Sequence, residues 1–176
     1  MEILNFILPI LLVALSCGAV VFLAYLFLKK TGEKEIRHLQ IELKRDRQKH
    51  FLPMRVDAYQ RAVLLMERIH PGSLVMRLHN AGAPAKMMQA DLLKAIREEY
   101  DHNVSQQLFI SPQAWEMVRN SKEETIKIIN IAGNQMGMTA TGMDLSQKIF
   151  EVVAEVGQLP TEITIEYLKK ELQDLF

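Results

Sequence analysis

Cysteine occurs once in the 176 residues, as Cys17. The chain therefore forms no internal disulfide and has no thiolate set for zinc. Charge of one sign is also lacking, since 21 basic residues balance 21 acidic ones. A globally basic nucleic-acid binder is not indicated. There is no Gly-rich phosphate loop, no dinucleotide fingerprint, no His-Glu-x-x-His and no Gly-x-Ser-x-Gly. Nor is there the strand–helix alternation of a nucleotide-binding parallel sheet. These absences argue against an enzyme, and no cofactor is expected.

What is present begins with Ile3–Leu28, a run of 26 residues without a charge. About 20 apolar residues suffice to cross the hydrocarbon core, so the run predicts a single transmembrane helix. A cleaved secretory signal would start basic and have a shorter apolar core. Here the start is Met1-Glu2, and the apolar run continues past Cys17. Lys29, Lys30, Lys34 and Arg37 follow the run. Positive flanks stay inside, so the expected orientation places the N-terminus outside and residues 29–176 in the cytoplasm. Ala14 and Gly18 form a small-x-x-x-small pair, compatible with self-association in the membrane.

The basic residues are unevenly placed. Residues 29–50 carry eight Lys or Arg against four acids, a net of +4, and residues 51–176 carry 13 against 16, a net of −3. Residues 31–50 read as a charged helical stalk with a narrow seam of Ile36, Leu39 and Leu43. Within it, Lys44, Arg45, Arg47 and Lys49 are candidates for contact with anionic lipid or nucleic acid. A solvated helix face explains the same pattern.

The remaining residues, 51–176, read as a compact helical bundle, so the predicted class is all-α: a transmembrane anchor over 1–30, a stalk over 31–50 and a cytoplasmic head. Pro53 suits the opening of a new helix, with Val56, Tyr59, Val63 and Met66 at helical spacing and Leu64 and Leu65 widening the face. His70-Pro71-Gly72 stops it, and Leu74–Leu78 is a short helix or strand. A helix from Pro84 to about Asp101 presents Met88, Leu92, Ile96 and Tyr100. Residues 104–110 are an extended stretch or one more helical turn. Ser111-Pro112 opens a helix reaching about Gly133, with Trp115 expected in the core. Residues 133–143 hold three glycines and no periodicity, which predicts a flexible loop before a helix capped by Asp144. Leu145, Ile149, Val152 and Val156 are its stripe. After Gly157–Pro160, a last helix carries Ile165, Leu168, Leu172 and Leu175.

The sharpest chemical hint is a doubled Glu-x-x-His. Glu67/His70 and Glu99/His102 each place a carboxylate and an imidazole at i, i+3. Two such pairs, with further glutamates such as Glu116, Glu123, Glu124, Glu151 or Glu155, are the ligand pattern of a di-metal bundle. Imidazoles at helix ends are the plainer explanation. Met136, Met138 and Met143 superficially suggest a thioether site for Cu(I), against a flexible loop with apolar side chains. The acidic run at Glu98, Glu99 and Asp101 lies at a helix C-terminus, where acids fit poorly, and calls for a basic neighbour such as Arg97 or Arg77.

Three stretches carry a resemblance: Phe51–Arg61, Ile96–Glu116 and Lys122–Lys127. Through them, residues from about 50 onwards resemble an uncharacterised family of small membrane-anchored proteins from the Bacteroidota. The resemblance implies a bacterial inner-membrane setting and supplies no activity. Together these observations predict a membrane-tethered interaction module, an accessory or scaffold subunit of an inner-membrane complex. Its expected partners are the bilayer and other inner-membrane or cytoplasmic proteins. A metal-binding bundle and a lipid- or nucleic-acid-contacting stalk are the alternatives.

Overall fold

The computed structural model describes residues 2–174, without the side chains of 2–16, 19, 24, 32, 33, 47 and 48. Ala14, Arg47, Leu175 and most of the predicted span therefore lie outside the described side chains. The fold is all-α. In the described residues six α-helices follow one another: α1 (Glu2–Ile69), α2 (Pro71–Leu78), α3 (Ala85–Asn103), α4 (Pro112–Asn134), α5 (Gly142–Val156) and α6 (Pro160–Gln173). A 3₁₀ turn over Val104–Leu108 precedes α4, resolving the ambiguity of residues 104–110 in favour of a helical turn. Among the described residues there is no strand, only an isolated antiparallel bridge between Pro84 and Thr141.

The chain divides into two compact units, Met1–Phe51 and Leu52–Phe176. In the first, Val20–Leu23 and Tyr25–Leu28 are exposed along the helix, as are Ile36, Leu39 and Leu43. No helix is long and apolar enough to cross a membrane among the described residues. The predicted anchor is therefore not established by the fold. Lys29, Lys30, Lys34, Arg37, Lys44, Arg45 and Lys49 are all exposed.

The sequence pattern places a new element at Pro53, but α1 runs through it. Proline has no N–H for the carbonyl four residues back, a loss that costs about 3 kcal/mol in a helix interior. The turns beyond it are held by burial instead. Ala58, Tyr59, Ala62, Leu65, Met66 and Ile69 are all within 1 % of complete burial, at the i, i+1, i+4, i+7, i+8, i+11 spacing of one helix face. Leu64, expected to widen that face, is 56 % exposed and lies off it. The His70-Pro71-Gly72 stop holds: α1 ends at Ile69, Pro71 opens α2, and the His70 imidazole accepts a hydrogen bond from the Gly72 N–H.

In the second unit α4 is central, packing against α3, α5 and α6, with α2 laid over α3 and α5. Met88, Leu92 and Ile96 on α3 meet Val118, Ile129 and Ala132 on α4 in one core with Leu145 and Ile149 on α5 and Leu168 on α6. Trp115 joins that core and stacks at a tilt on Tyr100, ring centroids 5.6 Å apart, while Lys122 Nζ sits 4.3 Å over the Tyr100 ring. The α4–α6 contact is polar at its centre: Ser121 Oγ and Thr164 Oγ1 lie 2.8 Å apart, and Ser121 also donates to the Pro160 carbonyl. Small hydroxyl residues let the two helices approach closely while keeping their own polar atoms paired.

Two expectations for residues 133–143 are corrected. Helix α5 begins at Gly142, and its cap is Thr141, not Asp144. Thr141 Oγ1 accepts from the Asp144 N–H, and the Asp144 carboxylate accepts from the Thr141 N–H, a reciprocal capping box. The preceding loop is also pinned, because Ala85 N–H donates to Ala140 O and Gly142 N–H to Ala83 O. Thr141→Ala should cost about 1 kcal/mol, read as a lower urea midpoint of Trp115 fluorescence. Val156, placed in the α5 stripe, is 49 % exposed. Helix α5 ends there because Gly157 turns the chain at φ +75° and ψ −114°, a conformation open to a residue without a β-carbon.

Candidate functional site

The structure does not bring the two Glu-x-x-His pairs together. His70 uses Nδ1 to cap α2, which leaves the hydrogen of the neutral ring on Nε2, 3.6 Å from Glu162. His102 Nδ1 lies 2.7 Å from the Glu98 carbonyl, an exposed back-bond at the end of α3. Glu67 is exposed. Glu99 is taken up by arginines: its Oε1 lies 2.6 Å from Arg68 Nη2 and 3.0 Å from Arg77 Nη1. Burial works to raise the Glu99 pKa, but the hydrogen bonds from Arg77 and Arg68 outweigh it and hold the carboxyl below its usual range. Of the further glutamates, Glu116, Glu124 and Glu151 pair with Arg119, Lys127 and Lys148 along their own helices, and Glu123 pairs with Lys122. Among the described residues no three or more His, Cys, Asp or Glu converge on a possible metal position. Arg77, expected as the basic neighbour of the acidic run, fills that role; Arg68 was not foreseen.

The methionine loop does not assemble either. Met136 packs against the core, Met138 is 97 % exposed, and Met143 turns to a different place. That place is a groove between α2 and α5, with a volume of about 700 Å³. Val75 and Met76 form one wall and Met143, Phe150 and Ala154 the other. Helix α5 thus has two faces. Leu145, Ile149 and Val152 enter the core, while Met143, Ser146, Gln147, Phe150, Glu151 and Ala154, at i, i+3, i+4, i+7, i+8 and i+11, line the groove. Met76 is 73 % exposed, Met143 54 % and Phe150 40 %. A cluster of large apolar side chains left open to water marks a binding surface more often than a random surface does. Methionine suits such a surface because its unbranched thioether adapts to the shape it meets.

One polar edge runs along this trough. Ser146, buried on α5, has its Oγ 2.8 Å from the Gly142 carbonyl and 3.1 Å from His79 Nδ1, with Met88 Sδ at 3.8 Å. A hydroxyl has one hydrogen, and the carbonyl can only accept. The hydroxyl therefore donates to Gly142 O, and His79 donates from Nδ1 to Ser146 Oγ. In the neutral ring this leaves the Nε2 lone pair without a protein partner among the described residues. Beside it, Glu151 accepts from Gln147 Nε2 and Lys148 Nζ, each at 3.1 Å. Those bonds, Lys148 foremost, keep the Glu151 carboxyl below its usual range and charged. The signal for this groove is present in the sequence as Met143 and Phe150, i and i+7 on a face distinct from the Leu145–Ile149 stripe. Its opposite wall comes from α2, far away in the chain, which no local pattern reveals.

A second, smaller concavity of about 480 Å³ holds Arg68, Arg77, Glu98, Glu99 and His102. It is the ion-paired cluster already described, with the two guanidinium groups committed to Glu99.

No curated protein and no solved structure matches the chain. Residues 5–175 match the profile of a protein family described as Family of unknown function (DUF7935). The similarity noted in the sequence began near residue 50, and the family match reaches back through the N-terminal apolar segment. The match takes in almost the entire chain, which therefore belongs to this family of unknown function, DUF7935.

Proposed function

We propose that the protein is a membrane-tethered interaction module, an accessory or scaffold subunit of a bacterial inner-membrane complex, that docks a protein partner in the α2–α5 groove. The observation that carries the docking role is the open trough of Met76, Met143 and Phe150. The tether rests on the uncharged run Ile3–Leu28 and on the uncovered apolar side chains of Val20–Leu23 and Tyr25–Leu28. A helix apolar all round needs lipid or protein about it. The basic flank of Lys29, Lys30, Lys34 and Arg37 then sets the second unit on the cytoplasmic side.

Crosslinking in intact cells, followed by purification through a C-terminal tag and mass spectrometry, tests the reading. A stoichiometric membrane complex is the expected result, with a crosslink from the groove that Phe150→Glu abolishes. Recovery of this chain alone would overturn it. A reporter fused after Phe176 should be active only as a cytoplasmic fusion, and periplasmic activity would reverse the orientation.

A further inference from the structure

We infer that the occupant of the α2–α5 groove is a basic amphipathic helix of a partner protein, its apolar side chains in the Met76–Met143–Phe150 trough and a Lys or Arg on the edge formed by His79, Gln147 and Glu151. The inference rests on the docking role proposed above and names the chemistry of the partner.

Three observations lead to it. The first is length. The α5 wall runs from Met143 to Ala154, twelve residues and so eleven helical rises, about 16 Å. That is the span of two to three turns of a second helix, which would present anchors at i, i+3 or i+4, and i+7. The second is hydrogen-bonding sense. The polar edge offers the Nε2 lone pair of His79, the Glu151 carboxylate and Gln147 Oε1, which has no partner among the described residues. Three acceptors stand against the one remaining N–H of Gln147, so the edge favours an occupant that donates, and Lys and Arg are donors without acceptors.

The third is charge. Helix α5 carries Asp144, Glu151 and Glu155 against Lys148, and residues 51–176 as a whole are net negative. Lys148 pairs with Glu151 and offsets one of these charges, which leaves α5 with a net of −2, and Arg77, next to Met76 on α2, is directed to Glu99 and to the Arg68 carbonyl. A cationic partner is attracted to this edge and an anionic one repelled, which sets partner choice and encounter rate.

The test uses the full chain in an uncharged detergent, with Cys17→Ser and Ala154→Cys, and an environment-sensitive dye on the new thiol at the end of the groove. The probes are two helical peptides with identical leucine spacing, one with lysine and one with glutamate on the polar face. The lysine peptide is expected to shift the dye emission saturably and the glutamate peptide to leave it unchanged. Glu151→Lys should weaken the lysine peptide about tenfold, and Gln147→Lys, an exposed change, should weaken it in the same direction. Each variant is compared at an unchanged Trp115 unfolding midpoint. No response to either peptide, an equal response to both, or indifference to both lysine variants would overturn the inference. So would saturation of the dye by dodecylamine where the lysine peptide gives none, which would make the groove a site for small amphiphiles. A partner crosslinked in cells alongside a failed lysine peptide would leave the docking role standing and remove only the basic-helix occupant. If cells yield no partner, the docking role fails with it.

Discussion

Gly142→Ala should lower the unfolding free energy by about 3 kcal/mol, read as a fall in the urea midpoint of Trp115 fluorescence. The cause is close approach, not backbone conformation. A β-carbon at Gly142 would lie 2.2 Å from the Asn80 carbonyl oxygen and 2.9 Å from Met88 Sδ. The methionine can swing aside, but Asn80 O is main chain, in the loop that the Ala83 and Ala85 hydrogen bonds tie to residues 140–142. Relief requires that pinned loop to move and the first turn of α5 with it. Gly133→Ala is the internal control. Its β-carbon would meet Gln89 at 2.4 Å, but only the end of that side chain. Gln89 can rotate away at the cost of its 3.0 Å bond to Asn130, about 1 kcal/mol. A Gly142→Ala penalty no larger than that of Gly133→Ala would mean that the 79–84 loop is not held as described. Because α5 forms one wall of the groove, the same substitution should also weaken whatever docks there.

The contrast between these two glycines shows what the sequence could and could not reveal. Local rules were legible. Ser111 caps α4, accepting from the Ala114 N–H, and Pro112 follows it at the first turn. Met88, Leu92 and Ile96 keep their helical stripe into the core, because a stripe at i, i+4, i+8 can bury itself in only one way. Where a choice depends on a distant partner, local pattern was not enough. Residues 133–143 lack periodicity and read as a flexible loop, yet Ala140 and Gly142 bond to Ala85 and Ala83, more than fifty positions earlier. Leu64 looks like core and is not, since the width of the buried face of α1 is set by the helices it meets. Ser121 and Thr125 look like surface and are buried, since their hydroxyls are satisfied by Pro160, Thr164 and the main chain of α4. The groove belongs to this second class. Its α5 stripe can be seen in the sequence, but α2 and the His79–Ser146 pair that complete it join residues 67 positions apart.

The Glu-x-x-His pattern illustrates the same limit, and its second glutamate carries a large predicted effect. Glu99→Ala should destabilise the protein by about 2 kcal/mol. Glu99 is 17 % exposed in its side chain and receives both Arg68 and Arg77, joining α3 to the end of α1 and to α2. Two charge-assisted bonds to one half-buried carboxylate would be worth more in a closed interior. The arginine side chains are 46 % and 35 % exposed, so water screens them and takes up part of the loss. The linkage sign follows from the depressed pKa of Glu99. Its contribution is fully present above the unfolded-state value near 4.5 and is lost as pH falls through the lower folded-state value. The wild type and Glu99→Ala should therefore differ at pH 7 and converge in acid. Replacing all three groups, with Arg68→Met, Arg77→Met and Glu99→Leu together, should cost less than Glu99→Leu alone. The single change strands two guanidinium groups beside an apolar side chain, whereas the triple change strands none. If the single and triple variants lost equal stability, Glu99 would be acting through packing and not through its two arginines. If added iron, manganese or zinc raised the unfolding midpoint of the wild type but not of Glu99→Ala, the carboxylate would be a ligand after all, and the arginine pairing a resting arrangement that metal displaces.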